Sequence, residues 1–204
     1  MTTAVDVIDA GIGNVASVVN MLKRVGVSAN VVTDPAAVAR SRKLVLPGVG
    51  AFDGGMTSLD AHDLRVPVRD AAASGARILG ICLGMQLLFE GSEEGSAKGL
   101  GLVPGHIERF KLTDPALKVP HMGWNRVRAT RDSSLFHRTD EEQRFYFVHS
   151  YHAVCRNDAD VAAVTRHGYE FTCAVERENL LGVQFHPEKS HRFGMALLAR
   201  FVAS

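Results

Sequence analysis

Three cysteines in 204 residues, at Cys82, Cys155 and Cys173, form no C-x-x-C pair, so the chain implies neither a disulfide framework nor a zinc site. An excess of one charge sign is also missing, with 23 Lys and Arg against 22 Asp and Glu. Nucleic acid as a partner finds no basic footprint here. No apolar run is long enough to span a bilayer. The opening residues, Met1 to Asp6, lack the basic region and apolar stretch of a signal peptide. Repeats, low-complexity segments and a domain linker are absent as well. What remains is the profile of a single-domain cytoplasmic enzyme, residues 1–204, with 46% apolar residues to build a core.

The pattern of that core changes midway. Val5 to Ile8, Ala29 to Val32, Lys43 to Leu46 and Arg77 to Ile81 read as short apolar strands. Helices are expected between and after them at Val15 to Val25, Val66 to Ser74 and Leu83 to Phe89. Such alternation predicts a mostly parallel sheet covered on both faces, a three-layer α/β fold of flavodoxin-like form. From Ile107 onward the segments 107–112, 124–128, 144–149, 152–155, 161–165, 171–176 and 180–185 are strand-like and separated by turn residues. They predict antiparallel additions to the sheet, closed by a helix from about His191 to Val202.

Chemistry concentrates at two of these strand ends. Gly80-Ile-Cys82-Leu-Gly84 joins an apolar strand directly to a helix, the layout of a nucleophile elbow. The helix start would favour thiolate over thiol. The strand 180–185 runs into His186-Pro-Glu188, where an extended backbone would put His186 and Glu188 on one face. A cysteine, a base and a carboxylate that orients the base make a Cys82-His186-Glu188 triad. A lone cysteine is ordinarily a buried structural residue; the second segment argues against that here.

A rival reading comes from Gly11-Ile-Gly13-Asn-Val-Ala16, which matches the dinucleotide-binding pattern after a strand, with Asp34 at the end of the next. It would make the chain a nicotinamide-dependent oxidoreductase. Against it stand the charged strand end at Asp9 and the lack of any joint role for Cys82, His186 and Glu188. The elbow alone also fits a DJ-1/PfpI-like hydrolase or a cysteine peptidase, and a catalytically idle binding subunit is a further alternative.

With these motifs the chain resembles the class I, triad-type glutamine amidotransferases, and within them the glutaminase subunits of imidazole glycerol phosphate synthase in histidine biosynthesis. The resemblance covers nearly the whole chain. It rests on Gly11 to Asn14, Pro47-Gly-Val-Gly-Ala-Phe52, Gly80 to Gln86, His121-Met-Gly-Trp-Asn125, Tyr146 to Tyr151 and His186-Pro-Glu-Lys-Ser190. It implies hydrolysis of glutamine to glutamate and ammonia, no cofactor, no metal, and a heterodimer with a (β/α)8-barrel cyclase to which the ammonia passes. Glutaminase subunits of other amidotransferases are the near alternative.

The Leu83 N–H, next after the nucleophile, is one expected oxyanion donor. By resemblance the other is the N–H of Val49 or Gly50. Similarity further implies that Gln86, Glu94 and the Ser150-Tyr151 backbone hold the glutamine head group. It also implies that Asn14, Trp124, Tyr146 and Lys189 lie on the face that docks on the barrel. Taken singly, Gln86 is a polar helix position, Glu94 a loop charge, Pro47 to Gly50 a strand-ending turn, and Trp124 and Tyr146 ordinary core aromatics. Because Gly48 tolerates uncommon φ/ψ values, the Gly48–Val49 peptide can present either its carbonyl or its N–H to the site. The histidines at 62, 106, 121, 137, 152, 167 and 191 are expected to be structural or superficial, and Cys155 and Cys173, in strand-like runs, to be inert.

Overall fold

The computed structural model describes residues 4–138 and 143–204; Met1, Thr2 and Thr3, part of the segment read against a leader, lie outside them. In chain order the strands are β1 (Val5–Ile8), β2 (Ala29–Val32), β3 (Lys43–Gly48), β4 (Arg77–Cys82), β5 (Gly105–Arg109), β6 (His121–Ala129), β7 (Gln143–His149), β8 (Tyr151–Cys155), β9 (Val161–His167), β10 (Tyr169–Arg177) and β11 (Leu180–Val183). The helices are α1 (Val15–Arg24), α2 (Pro35–Arg40), α3 (Phe52–Ala61), α4 (Arg65–Ala73), α5 (Leu83–Leu87) and α6 (His191–Ala203).

The strands join in the order β2-β1-β3-β4-β11-β10-β9-β6-β7, with β5 and β8 paired to one another and attached at β10. The first five of that order run parallel and the remaining pairings are antiparallel. The change of character along the sequence is therefore a change of pairing within one sheet. Side chains alternate across the parallel part as the pleat requires. Val45, Leu79, Ile81 and Val183 pack on one face with Val18 and Leu22 of α1 and Leu198 and Phe201 of α6. Leu44, Leu46 and Ile78 pack on the other with Phe52, Met56, Val68 and Leu87 from α3, α4 and α5. Both faces are covered, and the strands read as continuous apolar runs for that reason.

Two helices were not anticipated. Pro35 starts α2 at the first helical position, with the Asp34 carboxylate accepting the N–H groups of Ala36 and Ala37 at 3.4 and 3.0 Å. Gly54 and Gly55 hide α3 by lowering its propensity; Phe52, Met56 and Leu59 bury its inner face. The helix after the elbow is shorter than expected and ends at Leu87, and Leu112 lies beyond β5. Among the described residues no helix is long and apolar enough to cross a membrane.

Candidate active site

Cys82 ends β4 with φ 54° and ψ −111°, a conformation that costs a non-glycine residue about 1–3 kcal/mol. The elbow persists because the backbone around it is packed without room for side chains. A Cβ on Gly84 would lie 1.8 Å from the Leu46 carbonyl oxygen, and one on Gly80 would lie 2.6 Å from the Gly84 oxygen. The start of α5 thus sits directly on β3 and β4 and turns Cys82 into a cavity.

That cavity, of about 340 Å³, is lined by Val49, Gly50, Cys82, Leu83, Gln86 and Glu94. Pro120, Val148, His149, Ser150, Tyr151 and His186 complete its lining. Every expected oxyanion and head-group residue is among them. Glu94 gains its place by accepting the Phe52 N–H at 2.8 Å, so the loop that carries it closes the α3 N-terminus.

The expected base and its carboxylate meet by a different local structure from the one anticipated. Pro187–Lys189 forms a 3-10 turn rather than continuing the strand, and His186 caps it. The turn still brings His186 Nδ1 to 2.7 Å from Glu188 Oε1, with both side chains nearly excluded from water. Burial alone would lower the imidazole pKa. The Cys82 sulfur and the Glu188 carboxylate outweigh it and raise that value to about 9. His186 Nε2 is buried without a hydrogen-bond partner, as is Glu188 Oε2, so the thiol contact is looser than a formed hydrogen bond. Such contacts are often long before substrate binds. The arrangement can hold a thiolate–imidazolium pair and move a proton between sulfur, imidazole and a leaving group.

One of the expected donors is engaged elsewhere. Val49 N–H donates to the Ile12 carbonyl at 2.5 Å, which turns that donor away from the cavity and ties Pro47–Gly50 to the Gly11–Asn14 turn. The latter turn has no free dinucleotide cradle. Gly11 N–H is bound by the Asp9 carboxylate at 3.0 Å, and a Cβ on Gly13 would meet Pro47 O at 3.0 Å. Asp34, the acid of the rival reading, is a helix cap. Asn14 is exposed and caps α1 through Ser17 N–H.

Near the cavity lies an aromatic surface. Trp124, 47% exposed, stacks on His191 at 5.5 Å and meets Tyr146 edge-on at 6.3 Å. Lys189 Nζ stands 5.8 Å over the Tyr146 ring. Trp124 is therefore not a core aromatic, and exposed Met122 lies on the same strand.

Sequence reasoning missed two polar residues. His149 lines the cavity, donates from Nδ1 to Tyr151 O at 2.7 Å, and accepts from His121 at 2.9 Å. Gln184 is fully buried, and its Nε2 lies 3.7 Å from Cys82 Sγ. Its place just before Phe185 and His186 was the available signal. Burial pushes the Cys155 thiol up to about 12 and raises that of Cys173 well above its ordinary value, so neither environment favours thiolate. Among the described residues no group of His, Cys, Asp and Glu could hold a metal ion.

Residues 6–204 match the family model described as glutamine amidotransferase class-I. The chain is 46% identical to "Imidazole glycerol phosphate synthase subunit HisH" of Salinibacter ruber, over 100% of this chain and 94% of that relative. It is 47% identical to the protein of the same name from Sulfurimonas denitrificans, over 96% and 95% of the two chains. Among solved structures, a glutamine amidotransferase superposes with a TM-score of 0.75 at 17% identity over 98% of this chain and 100% of that one. PurLQS from Thermotoga maritima gives 0.72 at 19% identity over 100% and 99%. At that identity the structures speak for the fold.

Proposed function

The chain belongs to the class-I glutamine amidotransferase family, and from that premise we propose that it is the glutaminase subunit of imidazole glycerol phosphate synthase. The observation that carries the chemistry is the 2.7 Å His186–Glu188 contact, with His186 lining the same cavity as the strained Cys82. Cys82 thiolate attacks the side-chain amide carbon of glutamine, and imidazolium His186 protonates the departing ammonia. Water activated by His186 then hydrolyses the glutamyl thioester, releasing glutamate and restoring the thiol. Glu188 holds Nδ1 and stabilises the cation. Leu83 N–H and a second donor from Val49 or Gly50 bind the oxyanion, and Gln86, Glu94, Ser150 and Tyr151 hold the head group.

The ammonia passes to a cytoplasmic partner, a (β/α)8-barrel cyclase of roughly 250 residues that forms imidazole glycerol phosphate and AICAR. The Asn14, Trp124, Tyr146 and Lys189 face docks on it. The high identity to proteins named as subunits, over nearly their full length, supports this reading. The Val49–Ile12 hydrogen bond supports a resting state with an incomplete oxyanion hole. Docking at the Gly11–Asn14 turn would release Val49 and rotate the Gly48–Val49 peptide. A 100-fold activation needs only about 2.7 kcal/mol, within the reach of one backbone donor.

The experiment measures glutamine hydrolysis by the chain alone, with the cyclase, and with the cyclase plus its nucleotide ligand, for the native chain and for Cys82→Ser. Activity should rise at least about 100-fold in the full complex. The serine variant should lose glutamine hydrolysis while the complex still makes product from added ammonia. Full-rate turnover by the lone chain would end the switch, and glutamine-dependent turnover by Cys82→Ser would remove Cys82 as nucleophile.

A further inference from the structure

Gln184 has no role in the chemistry above, yet it is an uncharged polar side chain with 0% exposure, set between the apolar Val183 and Phe185. Burying a primary amide is unfavourable unless it is hydrogen-bonded, so its partners define what it does. The orientation of its amide follows from a backbone carbonyl two bonds away. Tyr151 O can only accept, so the Gln86 atom 3.3 Å from it is the donor Nε2. That same Nε2 lies 3.0 Å from the Gln184 amide, so the Gln184 atom facing it is the acceptor Oε1. Nε2 of Gln184 is thereby turned to Cys82 Sγ at 3.7 Å, within the range of an N–H donor to sulfur.

We propose that Gln184 is a positioning residue that holds the Cys82 sulfur through its amide N–H and fixes the polarity of Gln86 through its oxygen. The first contact supplements the strained backbone of Cys82, which sets where Sγ starts but not its χ1. It also sets an N–H donor against the sulfur, which is otherwise enclosed in a buried site. The second contact occupies the remaining N–H of Gln86, whose other N–H is held by Tyr151 O. Gln86 can then offer a ligand only its oxygen. On the reading of this cavity as the glutamine site, the substrate group that meets Gln86 is a hydrogen-bond donor.

The test uses the full chain and needs no glutamine, so it stands apart from the glutaminase assignment. Alkylation of Cys82 by iodoacetamide is followed against pH, with the modified peptide identified by mass. In Gln184→Met, which keeps the bulk and removes the donor, the midpoint should rise by about one pH unit. In Gln184→Glu, which keeps an acceptor toward Gln86 and replaces the donor beside sulfur, it should rise at least as far. Unchanged midpoints in both folded variants would overturn the proposal. The unmodified chain gives a second measurement that does not depend on the variants folding. The Gln184 side-chain NH2 resonances should shift when Cys82 ionises or is alkylated, and resonances that ignore both events would also overturn it. Glutamine kinetics in the complex should show kcat falling in both variants and KM rising more in Gln184→Met, where the polarity lock on Gln86 is lost.

Discussion

Two histidines line the same cavity, both almost fully buried, and their pKa values are shifted in opposite directions. His186 is raised to about 9, whereas His149 is lowered to about 3 and its neighbour His121 to about 4. Burial disfavours the imidazolium in all three. The difference is what else surrounds each ring. His186 faces the Cys82 sulfur and a buried carboxylate at 2.7 Å. His149 faces a backbone carbonyl and the neutral ring of His121, in a pocket packed around Phe110 and Phe171.

The hydrogen-bond string fixes the tautomers of the second region. Tyr151 O requires the proton on His149 Nδ1, which leaves Nε2 to accept from His121 Nδ1–H. His121 Nε2 in turn accepts from Asn125 Nδ2, 3.1 Å away. Every atom is satisfied only while both rings are neutral. His186 is thus held in surroundings that favour its cation, and His149 in surroundings that keep it neutral while it bonds the Tyr151 carbonyl.

The sharpest way to break this contrast is to remove the charge that creates it. Glu188→Gln keeps the shape of the turn but leaves His186 with burial and without a carboxylate. Its kcat for glutamine in the complex should fall by about 10²-fold or more, less than for His186→Ala, and the pKa of His186 followed by NMR should drop below about 9. Retention of full activity would mean that the carboxylate neither orients nor charges the base.

A smaller effect should appear in stability. His149 and His121 have folded pKa values below the unfolded value of about 6.5. Their contribution is present above that value and is lost as pH falls from it toward about 3. The raised His186 acts in the opposite sense, contributing below about 6.5 and losing its contribution as pH rises through about 9. Thermal melts should therefore show a falling Tm from pH 7 to pH 5. His149→Gln, which can still donate to Tyr151 O and accept from His121, should flatten that slope. An equal slope in the variant would remove His149 from the acid response.

The smallest effect belongs to Lys189, whose exposed contact with Tyr146 contributes no more than about 1 kcal/mol to the fold. Lys189→Ala should leave Tm nearly unchanged while weakening cyclase binding or its activation of glutamine turnover, read by titration calorimetry and by the coupled assay. Unchanged affinity and turnover would leave it a solvated side chain.

Local chemistry in the sequence determined the parallel strands, the elbow at Cys82 and the pairing of His186 with Glu188. Apolar runs of four to six residues suit a sheet covered on both faces, and a Gly-x-Cys-x-Gly turn has few other uses. The helices α2 and α3 escaped because a proline and two glycines dominated the reading of segments whose stability comes from tertiary burial of Val38, Phe52, Met56 and Leu59. His186 and Glu188 were paired correctly through the wrong backbone, since nothing local distinguishes an extended His-Pro-Glu from a 3-10 turn until Ser190 bonds back to His186 O at 2.6 Å. Only the tertiary structure decided that Val49 N–H is held by Ile12, that His149 is kept neutral, and that Gln184 reaches Cys82. Each depends on a partner between 28 and 102 residues away along the chain, and the direction of a hydrogen bond or of a pKa shift is set by that partner rather than by the residue itself.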